Sequence, residues 1–167
     1  MYTHAKPGRF RPILHLLLGA AALFAAGLAI AGEPPAQAEL SGVQPGDSEL
    51  TVRVILREGM PDRGEVRFAL FGTPADYQKG RKLLDRTAPV RDGQAELPLR
   101  GLPPGRYAFR LFHDANANGQ LDTGAFGLPV EPIFYSNDAS DMFSAPEWEE
   151  ASFRLSEGTY AYEVRLD

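Results

Sequence analysis

Residues 113 to 122 read HDANANGQLD, which puts oxygen-bearing side chains at Asp114, Asn116, Asn118 and Asp122 and a glycine at Gly119. Calcium is a hard cation that takes six to eight oxygens, and a loop can supply them from alternate positions. Counted from Asp114, positions 1, 3 and 5 are Asp114, Asn116 and Asn118. Gly119 stands at position 6, where such a loop turns sharply, and Gln120 at position 7 would offer its backbone carbonyl. Leu121 is the apolar anchor at position 8, and Asp122 is position 9. The bidentate glutamate that a helix–loop–helix site carries at position 12 is missing, because Ala125 stands there. A ligand from further on must then close the shell. Glu131 is the first choice, with Asp138 and Asp141 behind it. Two or three carboxylates outside a helix–loop–helix frame imply weak binding, on the order of 10⁻⁴–10⁻³ M. The same residues have another use, since Asn and Asp side chains bond their own backbone two residues on, and Asn118-Gly119 is a hairpin pair. Two readings therefore stand side by side: a Ca2+ site made of Asp114, Asn116, Asn118, Gln120, Asp122 and Glu131, or turn chemistry.

Other chemistries are more restricted. His113 is the sole histidine after residue 38, and the chain has no cysteine. A histidine-rich zinc site and a cysteine nucleophile are thereby excluded. No nucleophile-elbow motif accompanies the serines, so no catalytic residue is assigned. Strand alternation puts His113 on the face of Tyr107, Phe109 and Leu111, where it is expected to pack and to bond the loop. Phe126, Phe134, Tyr135, Phe143 and Trp148 follow the loop. They are expected mainly as core and loop packing; the alternative is a sugar- or peptide-binding platform.

The elements that would hold this loop are short strands. Leu50, Val52, Val54 and Leu56 alternate with Thr51, Arg53, Ile55 and Arg57, the period of a strand with one wet face. Val66, Phe68 and Leu70 repeat the pattern, as do Ala95, Leu97 and Leu99, and Tyr107, Phe109 and Leu111. Phe153 and Leu155, then Tyr160, Tyr162, Val164 and Leu166, give two more. Thr73, Pro74 and Asp76 predict the start of a helix of a turn or two, which Gly80 ends. Ser144 with Glu147 predicts another short turn. Asp92-Gly93 is a hairpin signal. Six or seven strands with no long helical pattern predict an all-β, antiparallel sandwich.

The first 38 residues are set apart. Lys6, Arg9 and Arg11 precede an apolar run from Ile13 to Ala31, and a polar spacer leads to Ala36-Gln37-Ala38. This is the pattern of a secretory signal peptide cleaved after Ala38, or alternatively after Ala31. An uncleaved anchor is the competing reading, because the run is long enough to span a bilayer. Residues 39–48 read as a linker and 49–167 as one sandwich domain. Removing residues 1–38 takes away three basic residues and one acid. The 129-residue remainder then holds 14 Lys/Arg against 21 Asp/Glu, a net charge near −7. That balance argues against nucleic acid as a partner. After cleavage, nothing else predicts a membrane association. The expected location is the periplasm or the exterior, and the expected partner is a protein or polysaccharide of the envelope.

The stretch LPPGRYAFRLFHDANANGQLDTGAFGLPVEPIFYSNDAS, residues 102–140, resembles an exported bacterial family designated domain of unknown function 2141. The motifs that carry the resemblance run Pro103 to Ala108, His113 to Asp122, Gly127 to Glu131, and Ser136-Asn137. SAPEWEEASFRL is similar to the family's closing segment, with Trp148 where phenylalanine is more usual. The resemblance implies a small transthyretin- or immunoglobulin-like sandwich and no activity. The loop is also similar to calcium loops in B-type repeats of bacterial surface proteins, which carry the late acid that Ala125 replaces. Three functions fit these residues: an exported non-catalytic binding or interaction module with a weak calcium site, a metal-free structural sandwich of the envelope, and a hydrolase.

Overall fold

The computed structural model describes residues 10–12, 48–140 and 144–166. Apart from residues 10–12 and 48, the segments expected as signal peptide (1–38) and linker (39–48) lie outside the described residues, as do Asp141 and Phe143. The strands are β1 (Phe10–Pro12), β2 (Ser48–Leu56), β3 (Glu65–Phe71), β4 (Leu84–Pro89), β5 (Gln94–Leu102), β6 (Gly105–Asp114), β7 (Ile133–Tyr135), β8 (Phe153–Leu155) and β9 (Gly158–Leu166). Two short helices, α1 (Pro74–Gln78) and α2 (Trp148–Ala151), complete the secondary structure with 3₁₀ turns at Ala125–Gly127 and Ser136–Asp138.

The strands make two facing sheets. One runs β1-β9-β2-β5; the other runs β4-β3-β6-β7, with β8 also on β6. The alternation read from the sequence decides which side chains meet between them. Leu50, Val52, Val54, Val66, Phe68, Leu70, Leu97, Leu99, Phe109, Leu111, Tyr162 and Val164 are buried in one continuous core. The polar face of the first sheet is laced by cross-strand pairs, Arg53 with Glu96 at 2.9 Å and Arg100 with Glu49 at 3.0 Å. Tyr107 donates its hydroxyl to the carbonyl of Pro103 at 2.7 Å, the corner contact that ties a strand to its preceding turn in Greek-key sandwiches. The all-β sandwich is thus the fold, and the Pro103-Pro104 turn before β6 is part of its frame.

Four features go beyond the sequence reading. β2 pairs with β9 in parallel, from Ser48 against Gly158 to Leu56 against Leu166. β4 and β7 are strands that the pattern does not announce. The second helix begins at Trp148 with Glu147 at its cap, rather than at Ser144. The outer face of β3 and β6 is also covered: Phe71, Tyr77, Ala108, Trp148 and Ala151 form a second small core under α1 and α2. At α1 the predicted cap is present, with the Asp76 amide donating to Thr73 Oγ1 at 3.1 Å. Tyr77 donates its hydroxyl to the Pro146 carbonyl at 3.0 Å, joining the two helical covers.

Burial pushes the phenols of Tyr77 and Tyr162 up to about 12. An unfolded chain ionises these groups from about pH 10. Between about pH 10 and 12 the unfolded state therefore binds fewer protons than the folded one, and stability falls as pH rises. Urea denaturation at a series of alkaline pH values should show this loss, and Tyr162→Phe should flatten it.

Candidate functional site

The loop grows out of the end of β6, and the geometry starts with that strand's open edge. β8 pairs with Gly105–Tyr107 and β7 pairs with Arg110–Phe112, both on the same side of β6. Phe109 faces the gap between them. Ser136, fully buried, fills it: its Oγ accepts the Phe109 N–H at 2.9 Å and donates to the Ala151 carbonyl at 2.6 Å. Asn137 completes the clamp, donating through Nδ2 to the Ser152 carbonyl at 2.8 Å and through its backbone N–H to the Tyr162 hydroxyl at 2.7 Å. The Ser-Asn pair thus replaces strand contacts with side-chain bonds. Ser136→Ala orphans a buried amide and should cost about 1–3 kcal/mol in chemical denaturation.

At the other end of β7, the oxygen-rich loop closes on itself. Asp114 is fully buried; its Oδ1 accepts the Asn118 N–H at 3.1 Å and its Oδ2 the Gly119 N–H at 2.7 Å. Asn116 Oδ1 accepts the Asn118 N–H at 3.0 Å, and Asn118 Oδ1 accepts the Gln120 N–H at 2.8 Å. Each is a side chain bonding its own backbone two residues on. The Nδ2 groups of Asn116 and Asn118 donate to the Asp122 carboxylate at 2.7 and 2.9 Å. Glu131 reaches back as expected: one carboxylate oxygen accepts the Ala115 N–H at 3.2 Å, the other the Asp122 N–H at 3.0 Å.

Five of the six predicted ligands are therefore tied into one network, and the sixth, Gln120, joins through its backbone N–H. Asp138 does not join them; it sits in the 3₁₀ turn at the far end of β7. Positive φ occurs at Ala117 (55°) and Gly119 (82°). A two-residue Asn118-Gly119 turn of the primed type would need positive φ at both of its residues, so the Asn and Asp side chains hold this bend instead. Among the described residues, no three His, Cys, Asp or Glu side chains group as metal ligands.

His113 is buried, with Nε2 at 2.8 Å from the Arg63 carbonyl. It packs on the core face, and its Nδ1 has no hydrogen-bond partner. The sequence reading missed Gly64, the residue that lets the β2–β3 connection pass under the loop. A Cβ there would stand 2.1 Å from the Asp114 carbonyl oxygen, at φ +80°. Its only signal was a glycine closing a polar loop just before a strand.

Beyond Asp122 the chain makes a small hairpin. Thr123 bridges Pro129, the Gly124 N–H bonds the Leu128 carbonyl at 2.8 Å, and the Val130 N–H bonds the Asp122 carbonyl at 3.0 Å. Residues 123–128 are all exposed. Of the aromatics after the loop, Phe134 and Trp148 are core residues, while Phe126 stands at the tip, 99% exposed. A rigid two-sheet domain with one self-braced loop and an apolar tip is the class of protein defined by these features.

Residues 56–163 match the family described as uncharacterized protein conserved in bacteria, DUF2141. The chain belongs to that family. No curated protein matches it. Among solved structures, a pilus-presented adhesin (Cpa) aligns at 15% identity with a TM-score of 0.22. That alignment covers 71% of this chain and 27% of the adhesin chain. The chain spans about a quarter of that protein.

Proposed function

We propose that this chain is an exported, non-catalytic binding or interaction module, and that the loop and hairpin from His113 to Glu131 form its recognition element. One observation carries the reading. The large apolar side chains that the described residues expose are Phe126, Leu128 and Val130, all on the hairpin that the loop braces. Loops held on a rigid scaffold are where recognition concentrates. The polar side chains at its base are committed to structure: Asp114 and Glu131 hold backbone amides. The test is a panel of chromogenic ester, glycoside and phosphate substrates, paired with pull-downs from envelope extract with and without chelator. The module retains a partner and turns over nothing. Turnover abolished by His113→Gln with the fold intact makes it a hydrolase instead.

Calcium in the loop is the second reading, favoured by the convergence of Asp114, Asn116, Asn118, Asp122 and Glu131 on one network. It requires Asp114 and Glu131 to exchange amide partners for the ion. At a dissociation constant of about 10⁻⁴–10⁻³ M, calcium at about 10 mM adds about 1.4–2.7 kcal/mol. A melting temperature that does not move at that concentration removes calcium and leaves turn chemistry.

A further inference from the structure

We propose that the hairpin 122–130 is a docking knob that seats Phe126 in an apolar pocket of a partner protein, with lysine or arginine side chains on the pocket's rim. This rests on the binding-module reading and adds the surface and the partner's chemistry to it.

The first argument is exposure. Phe126 is 99% exposed, Val130 66% and Leu128 38%, and they follow one another at two-residue spacing. Single exposed apolar residues are ordinary, but a cluster confined to one projection marks an interaction site. The second argument is pre-organisation. Phe126 sits at φ 66° and ψ 16°, a left-handed conformation that is costly for a bulky residue. Strained residues of this kind concentrate at ligand clamps. The hairpin's neck is fixed by Glu131, whose two carboxylate oxygens hold Ala115 and Asp122. Val130 lies over Gly124 so closely that a Cβ on that glycine would stand 2.8 Å from Val130 Cγ1. A hairpin backbone already held in place loses less freedom on binding.

Charge selects the occupant. Asp122 and Glu131 stand at the neck of the hairpin and Asp114 beneath it, against the guanidinium of Arg67, which is already paired with Glu65 at 2.7 Å. An anionic bilayer repels such a segment, and three side chains bury less than a single acyl chain, whose own hold on a membrane is marginal. A second copy would bring the same acids to the contact. A protein pocket with a basic rim matches both the sign of the segment and the convex shape of the knob. One aromatic ring entering a desolvated pocket is the usual form of an interface hot spot.

The experiment puts the photo-crosslinker benzoylphenylalanine at position 126, 128 or 116, or at Arg100 on the other sheet, in the full chain expressed in its native bacterium. The proposal expects one heterologous adduct from 126 and 128 and none from Arg100. With the crosslinked protein purified, Phe126→Ser weakens binding by about 30-fold or more. Its melting temperature stays unchanged, and added salt weakens the wild-type complex further. An adduct with the mass of two copies overturns the proposal. So does co-sedimentation with phosphatidylethanolamine–phosphatidylglycerol vesicles that Phe126→Ser abolishes. A heterologous adduct from 116 with none from 126 overturns the knob while the binding module stands. No adduct from 116, 126 or 128, together with turnover in the substrate panel, overturns both.

Discussion

Replacing Gly64 by alanine is expected to lower the stability of the domain by about 2–5 kcal/mol, with the His113–Glu131 loop loosened before the rest unfolds. Two costs add. An L-residue at φ +80° loses about 1–2 kcal/mol to the clash between its Cβ and its own backbone. The new methyl would also lie 2.1 Å from the Asp114 carbonyl oxygen and 2.8 Å from the Ala115 Cα, both backbone atoms that no rotamer change can move aside. Overpacking of that kind costs about 1–3 kcal/mol. The connection between β2 and β3 must therefore back away from the end of β6. Gly59 is the control, since it has φ +90° but nothing within 4 Å of its would-be Cβ. Gly59→Ala should show the backbone cost alone. Chemical denaturation of both variants separates the terms, and equal losses would mean that the contact with Asp114 contributes nothing.

Asp114→Ala is the second large effect, about 2–4 kcal/mol measured in excess chelator so that no cation enters the comparison. Its carboxylate is fully buried and accepts two backbone amides. Hydrogen bonds to a charged acceptor contribute about 1.5–3 kcal/mol each, and a buried donor left without a partner adds its own desolvation cost. The two losses differ. Asn118 N–H keeps Asn116 Oδ1 as an acceptor, whereas Gly119 N–H is bonded to Asp114 Oδ2. Hydrogen exchange should therefore rise most at Gly119. Asn116→Ala, on the exposed side of the loop, should cost under about 1 kcal/mol. If Asn116 proves as costly as Asp114, the loop is held from its outer face and not by the buried carboxylate.

Both predictions concern the same joint. Gly64 brings one connection under the start of the loop, and Asp114 folds the loop over that point. The hairpin then leaves from a fixed base. The consequence is geometric: the hairpin that bears Phe126 starts from a base held by Asp114 and Glu131. A variant that loosens the base should weaken recognition without touching Phe126 itself.

How much of this was legible depends on the range of the interactions. Period-two alternation is local, so β2, β3, β5, β6, β8 and β9 could be read from their side chains. The Thr73 cap and the Asp92-Gly93 turn are local too, and both are present, the turn with φ 52° and 68°. β4 was hidden because it is an edge strand. Leu84 and Ala88 are its buried contribution, and Asp85, Arg86 and Pro89 make the segment look like loop. Charges and proline are what an edge strand tolerates. β7 has three residues, too few to show a period.

In the loop, the spacing of Asp114, Asn116, Asn118 and Asp122 and the return of Glu131 could be proposed from the order of residues alone. Side-chain type and short separation largely dictate those contacts. What the oxygens bond could not be read that way, because amides and a cation compete for the same lone pairs.

The amino-acid order by itself determined the β class, the inward faces of most strands, the family motif and the residues that gather in the loop, since each depends on neighbours a few positions apart. Only the tertiary structure decided that β9 lies parallel to β2, that Ser136 bridges the break between β7 and β8, that Gly64 lies under Asp114, and that Phe126 is left outside. Those outcomes depend on which distant segments come to share a surface. No local pattern encodes that choice, because it is set by how two whole sheets bury their faces against each other.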